Sequence, residues 1–491
     1  MKRIIGILLI LILPLAILTA QSDDDLFGGD DAFFSSDDDF FGDDGIEEVA
    51  DVSAKSDLSK GVIFDSGAVK VGGSLTAGIS TNTVLYSPDS EDENLGEKIK
   101  NTKLTPDLSA MLTVDARPTE TLRMYTKFGF AYPFETKATT TIKFTPVAFT
   151  AATPSLSGLP GVPSAETTIL DWFKLKELFT DFSVKDTVFF RFGIHTVTWG
   201  ASYFFSPVSD MINSSSIDPE NPDKQVDGSL NLRTQIVFPG SQNCLWFYVI
   251  PSTNFQNQTA ETYARETALA GKADILIGNW ELGLGGLYKY QNAPKAMLTL
   301  TGSLKKISFF GEFVYSYGAL SEWQKNTDWN DKTSIFQATA GFSYYWKEPK
   351  INIAAQYYFE SNDKDISKKI STYGHNVALM ASKGDLFKNP DFSLSLFAMA
   401  NFGHKDATVE DVLEMYPDLQ MLIATGVVEG SVDDYAKEAS AMPTLTGNLM
   451  LNYSPFANMS FAMGPVVTVK DFETKPKVAL KLSATLGGGK F

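Results

Sequence analysis

The chain has one cysteine, Cys244, and three histidines, His195, His375 and His404, in 491 residues. A single thiol closes no intramolecular disulfide and builds no thiolate metal cage. H-E-x-x-H, G-x-S-x-G and P-loop spacings are all missing, so the expectation is a protein with no enzymatic activity and no cofactor. Basic charge is scarce as well. Lys and Arg number 41 against 59 Asp and Glu, with no basic stripe to release phosphate counterions, and this excludes nucleic acid as a partner. Beyond residue 18 no run of 18 apolar residues occurs, so the body of the chain cannot span a bilayer as helices.

Acidity is abundant and unevenly placed. Of a formal net charge of −18, residues 21–51 contribute eleven Asp, two Glu and no Lys or Arg. Ahead of this stretch, residues 1–20 combine Lys2 and Arg3, an apolar run from Ile4 to Leu18 and a small residue at Ala20, which reads as a cleaved secretory signal peptide. The apolar run, interrupted by Pro14, is short for a retained membrane helix. The Asp/Phe-rich segment 21–60 repeats an Asp cluster before an aromatic pair around Phe27, Phe34 and Phe41; its charges repel and its few Phe make no core, so it reads as a disordered tail. Two readings stand for it: a linear motif that docks a periplasmic partner, or a solvated linker.

What remains is period two. In VFFRFGIHTVTW, Val188, Phe190, Phe192 and Ile194 face one way, and Arg191, Gly193 and His195 the other; around Leu122 to Phe130, Arg123, Tyr125 and Lys127 oppose the apolar set. Eighteen such segments follow between residues 67 and 487, sixteen if 67–80 or 267–278 lies outside the wall. The connections between them alternate tight turns, as at Lys185-Asp186, Gly278-Asn279 and Lys305-Lys306, with mostly long loops. Only helices and closed barrels satisfy their backbone in lipid, and turns short on one side and loops long on the other belong to an outer-membrane barrel. The fold class is therefore all-β: an antiparallel up-and-down transmembrane β-barrel over residues 61–491, with an even strand number placing both ends of the wall on the short-turn side.

At this point the chain resembles the outer-membrane β-barrel porins and their transporter relatives. The resemblance implies that the terminal aromatic, Phe491, is read by the barrel-assembly machinery. Val478, Leu480, Leu482, Ala484 and Leu486 alternate on even numbers whereas Phe491 is odd, so a bulge near the Gly487-Gly488-Gly489 run is expected to shift the phase. The stretch Trp199 to Pro219 is similar to a W-G…F-x-P-x-D…N segment of porin-like barrels. By position it resembles the inward loop that narrows general porins, with Trp199, Phe205, Pro207, Asp210 and Asp218 as its marked residues; an ordinary outward loop is the other reading.

The alternation places Arg123, Lys127, Arg191, His195 and Arg233 on the pore lining. With Lys70, Lys174, Lys176, Lys289 and Lys481, and with His195 taken as neutral, nine cations oppose five acids, Asp115, Glu177, Glu281, Glu312 and Glu360. A mildly basic lumen favours anions by field focusing. A bulge near Lys176 is expected to bear on these assignments. His195 has no nucleophile and orienting partner in its pattern, so it reads as a wall residue. Loop 404–442 carries helical spacing, with Thr408 and Ser431 as start signals and a break at Pro417. The expected function is passive diffusion of small polar solutes, anionic ones included, through a lumen narrowed by 199–226, in a barrel surrounded by outer-membrane lipid. Two alternatives are a plugged transporter of hydrophobic substrates resembling the fatty-acid barrels, and a surface adhesin or scaffold anchored by its barrel.

Overall fold

Strands form where β-branched and aromatic residues alternate with small or polar ones, and each of the eighteen expected segments becomes one wall strand. The computed structural model describes residues 62–490 apart from 66, 89–93, 133–135, 142–164, 171–172, 186, 214–226, 253–258, 365–372, 416–418, 425–429, 441, 457 and 473. The signal segment 1–20, the tail 21–60, Asp218 and Phe491 lie outside the described residues.

In chain order the strands are β1 (Val62–Asp65), β2 (Val69–Tyr86), β3 (Leu104–Thr119), β4 (Leu122–Ala131), β5 (Thr136–Thr141), β6 (Ala165–Leu170) and β7 (Phe173–Val184). Then come β8 (Val188–His195), β9 (Ser229–Val237), β10 (Cys244–Ile250), β11 (Ala268–Ile277), β12 (Trp280–Lys289), β13 (Lys295–Leu304) and β14 (Ile307–Tyr317). The series ends with β15 (Ser334–Trp346), β16 (Ile351–Glu360), β17 (Gly374–Lys383), β18 (Phe392–Asn401), β19 (Thr444–Phe456), β20 (Met459–Lys470) and β21 (Lys477–Lys490). β5 and β6 pair only with each other, and β1 lies on the stretch of β2 from Lys70 to Gly72 that β21 does not reach. The other eighteen pair with their neighbours in antiparallel order, and β2 closes on β21 from Ser74↔Lys490 to Tyr86↔Val478. The result is a closed up-and-down barrel of eighteen strands with no free edge.

Apolar and polar faces are inverted relative to a soluble protein. Leu178, Phe192, Phe247, Leu269, Leu284, Phe313, Phe342 and Met463 are exposed on the outer face, whereas Thr299, Glu312, Gln356 and Asn376 are buried inside. An apolar exterior band of this kind is the surface of a transmembrane barrel. Aromatic pairs mark both rims: Phe182 on Phe190 and Phe392 on Tyr453 at the short-turn end, Phe128 on Phe173 and Tyr315 on Phe336 at the long-loop end. Trp246, Tyr248 and Tyr358, which lie near strand ends in sequence, point inward and are buried instead.

Two bulges shift the register of the wall. Lys127 pairs with Glu177 and Phe128 with Leu175, leaving Lys176 as the extra residue of β7. Gly78 pairs with Thr485 and Ala77 with Gly487, so Leu486 is the extra residue of β21 and the outward phase passes to odd numbers at Gly487 and Gly489, just ahead of the chain end. Loop 404–442 forms short helices, Val409–Met415, Leu419–Ala424 and Val432–Ala439, which bury Val412, Leu419 and Ala436 among themselves. Ser431 caps the last of them, with its Oγ accepting from Asp434 N at 3.2 Å and Asp434 Oδ2 accepting from Ser431 N at 2.9 Å.

Candidate functional site

After His195 the chain leaves the wall. Instead of running outward, residues 196–213 cross the lumen and bury Val197, Trp199, Phe204, Phe205, Pro207, Val208 and Ile212. Three wall side chains hold this strap. On β14, Glu312 accepts hydrogen bonds from Ser202 N at 3.0 Å, from Ser206 Oγ at 3.1 Å and from Val208 N at 3.0 Å. On β16, Gln356 Oε1 accepts from Phe204 N at 2.7 Å while its Nε2 donates to Phe205 O at 2.6 Å and to Thr339 Oγ1 at 2.6 Å. On β11, Lys272 Nζ donates to Trp199 O at 3.0 Å and pairs with Asp274 at 2.9 Å, and Asp274 in turn accepts from Trp246 Nε1 at 2.7 Å.

Apolar contacts complete the crossing. Phe205 stacks on Tyr358 with ring centroids 5.0 Å apart, Phe204 meets Phe397 of β18, and Trp199 stands edge-on to Tyr248 at 4.8 Å. The strap therefore leaves from the fifth wall strand and rests against strands as far as β18, the fifteenth. Inside it, Asn213 Oδ1 accepts from Val197 N and its Nδ2 donates to Val197 O, both at 2.8 Å, while Ser209 Oγ accepts from Gly200 N at 3.0 Å. Gly200 is required by the approach to Glu312, because a Cβ there would lie 2.1 Å from Glu312 Oε1 and 2.2 Å from Ser206 Oγ. That contact gives the Trp199-Gly200 pair its physical reason.

The wall from which the strap departs carries the arginines. Arg123 grips Asp115 through Nε at 3.0 Å and Nη2 at 2.9 Å, and Arg191 grips Asp181 through Nε at 2.6 Å and Nη2 at 2.9 Å. A contact of 3.9 Å from Arg123 to Asp181 joins the two pairs. Phe179 lies beneath them, 3.9 Å from the Arg191 guanidinium carbon to its ring centroid. Arg233 stands directly opposite Arg191 in the β8–β9 register, 5.4 Å from the Trp246 ring.

Past the strap, toward the long loops, lies a cavity of about 340 Å³. Met211, Ile212, Ile250 and Leu287 give it an apolar side; Lys289, Lys295, Gln337 and Glu360 give it a polar one.

The chain matches no family model and no curated protein. Solved structures offer likenesses of the barrel. Pseudomonas aeruginosa OccK3 (OpdO) is similar at a TM-score of 0.45 with 10% identity, over 85% of this chain and 95% of that chain. P. aeruginosa OccK8 (OprE) gives 0.45 with 9% identity, over 85% and 98%, and Acinetobacter baumannii OccAB3 gives 0.43 with 8% identity, over 86% and 99%.

Among the residues marked from sequence, Arg123, Arg191, His195 and Arg233 lie on the inner faces of β4, β8 and β9, and Lys127 stands in register with Glu177. His195 is 2% exposed, lies edge-on to Phe179 and has no side-chain hydrogen bond among the described residues. Trp199, Phe205 and Pro207 are buried in the strap and Asp210 is half-buried there. Gln356, Lys272, Asp274 and Asp181 escaped the sequence reading, and Glu312 entered it only as one acid of the wall. The available signal was an acid or amide at an inward position of an apolar strand, as in FFGEFVY and IAAQYYF, since a buried polar group needs partners.

Proposed function

We propose that this protein is an outer-membrane channel through which small polar solutes diffuse passively, with segment 199–226 as its constriction. The observation that carries the reading is the strap, tied to the inner wall by Glu312, Gln356 and Lys272 rather than left outside the mouth. A closed barrel of this strand number has a lumen wide enough for water and solutes, and a strap across it sets the limiting width. Arg123, Lys127, Arg191, His195 and Arg233 line one side of the path, and Lys289 and Lys295 line the cavity beyond the strap.

Anion preference follows from this lining, but weakly. Asp115 and Asp181 neutralise Arg123 and Arg191 at bidentate distance, and Glu360 shares the outer cavity with Lys289 and Lys295, so only a small positive excess is left to act on solutes. In this reading residues 1–20 are removed on export, Phe491 serves the assembly machinery, and the acidic tail 21–60 meets a periplasmic partner. The hydrophobic-cargo alternative draws little support from loop 404–442, because its helices bury Val412, Leu419 and Ala436 among themselves and leave Val409 and Met421 exposed. Planar-bilayer recording of the refolded chain in a salt gradient tests the proposal. Stable ohmic steps with a small reversal potential on the anion side are expected; a silent bilayer with a folded, heat-modifiable barrel would overturn it.

A further inference from the structure

The short turns of the barrel are not alike. Those at 238–243, 278–279 and 454–458 contain no charged residue. Three consecutive turns elsewhere on the same rim, at 305–306, 347–350 and 384–391, carry Lys305, Lys306, Lys347, Lys350 and Lys388, with Lys383 at the edge of the last, and these lysines outnumber the acids Glu348, Asp385 and Asp391 among them. Wall strands lie about 4.8 Å apart, so successive turns on one rim are about 10 Å apart and the lysines form one continuous arc.

Part of this charge is used locally: Lys350 Nζ pairs with Asp385 at 2.6 Å and Lys383 Nζ donates to Pro349 O at 3.3 Å. Lys305, Lys306 and Lys388 are exposed and have no hydrogen bond or ion pair among the described residues. Several of these turn residues also stand in the left-handed region, Lys305 at φ 58°, Lys350 at 58°, Phe387 at 58° and Lys388 at 59°. Glycine or asparagine would hold such turns with less strain, so the backbone bears a cost to keep lysine and phenylalanine there. Beside them Phe387 is 82% exposed, Leu304 61% and Trp346 52%. Ammonium groups next to exposed aromatic and apolar side chains at a barrel rim fit a headgroup boundary.

We infer that this arc is a seat for anionic phospholipid headgroups of the leaflet that meets the short turns, with the lysine ammonium groups on the phosphodiester and Phe387 and Trp346 at the acyl boundary. The inference rests on the membrane-channel reading for its orientation. It is tested by native mass spectrometry of the full chain in detergent, titrated separately with phosphatidylglycerol and phosphatidylcholine, alongside insertion into vesicles of each lipid. Phosphatidylglycerol is expected to be retained at about tenfold lower concentration, since each lysine near an anionic surface adds to the attraction. K305Q/K306Q/K388Q is expected to abolish the difference, Phe387→Ser to weaken retention of both lipids, and Lys437→Gln on the long-loop side to change neither. Insertion with equal retention of the two lipids, or a preference that survives in the triple variant, would overturn the seat alone. Preference for soluble muropeptide carboxylates over either lipid would also overturn it, and a chain that inserts into no vesicle would overturn the channel reading as well.

Discussion

The two sides of the inner wall use their polar groups in opposite ways. On β11, β14 and β16, Lys272, Glu312 and Gln356 turn toward the strap and are consumed in holding it. On β3, β4, β7 and β8, Asp115, Arg123, Asp181 and Arg191 turn toward one another. In the proposed channel, one side would set where the obstruction stands and the other the field beside it. Width and charge are thus written into separate strands, which makes them separable by mutation.

The separation is broken most strongly at Glu312. Removing a buried acceptor leaves Ser202 N and Val208 N unsatisfied, at about 1–3 kcal/mol for each such group. Glu312→Ala is expected to free the strap and raise single-channel conductance about twofold or more, with added current noise and little change in ion preference. Asp181→Asn should do the reverse. Arg191 loses its carboxylate, so the reversal potential in a salt gradient moves further to the anion side while conductance stays within about 30 % of the parent. Gln356→Leu removes one anchor of three and is expected to raise conductance less than Glu312→Ala; an equal or larger rise would show that the amide, not the carboxylate, governs the strap.

The smallest effect concerns a carboxylate that clasps a loop in water. Glu322 accepts from Ala319 N at 2.9 Å, from Thr333 N at 3.1 Å and from the Thr333 hydroxyl. Partial burial pushes its pKa up, but these hydrogen bonds and the nearby Lys332 outweigh it, and the carboxyl is held below its ordinary value. A depressed folded-state pKa stabilises the loop above the ordinary carboxylate value of about 4.3, and that stabilisation is lost as pH falls through the folded one. Amide exchange at Gly318 and Thr333 should therefore quicken only under acid conditions, and Glu322→Gln should remove the pH dependence. The same clasp inside the lumen, at Glu312, moves a pore; outside, it steadies one loop.

The wall was legible from sequence because each strand declares itself within about ten residues. Alternation placed all eighteen, and the phase conflict between Leu486 and the chain end located the bulge in β21. The strap was half legible: Trp199, Phe205 and Pro207 marked it, but its anchors lie 73 to 152 positions away in the chain, and no local pattern joins Trp199 to Lys272, Val208 to Glu312 or Phe204 to Gln356. The charge count of the lumen was incomplete for a similar reason: Asp181 beside Arg191 escaped it, and so did the whole Lys272–Asp274 pair. Trp246, Tyr248 and Tyr358 lie near strand ends along the chain, yet the alternation of β10 and β16 turns them inside.

The seam between β2 and β21 has a consequence in time. It joins residue 74 to residue 490, so the first wall strand has no permanent second neighbour until the final one exists. Loop-closure entropy over such a separation is offset only when the whole ladder forms together, and contacts this distant in sequence make folding slow. Until β21 is made, the chain therefore carries an unfinished edge along β2, and the strand made first stays open for as long as the strand made last is missing.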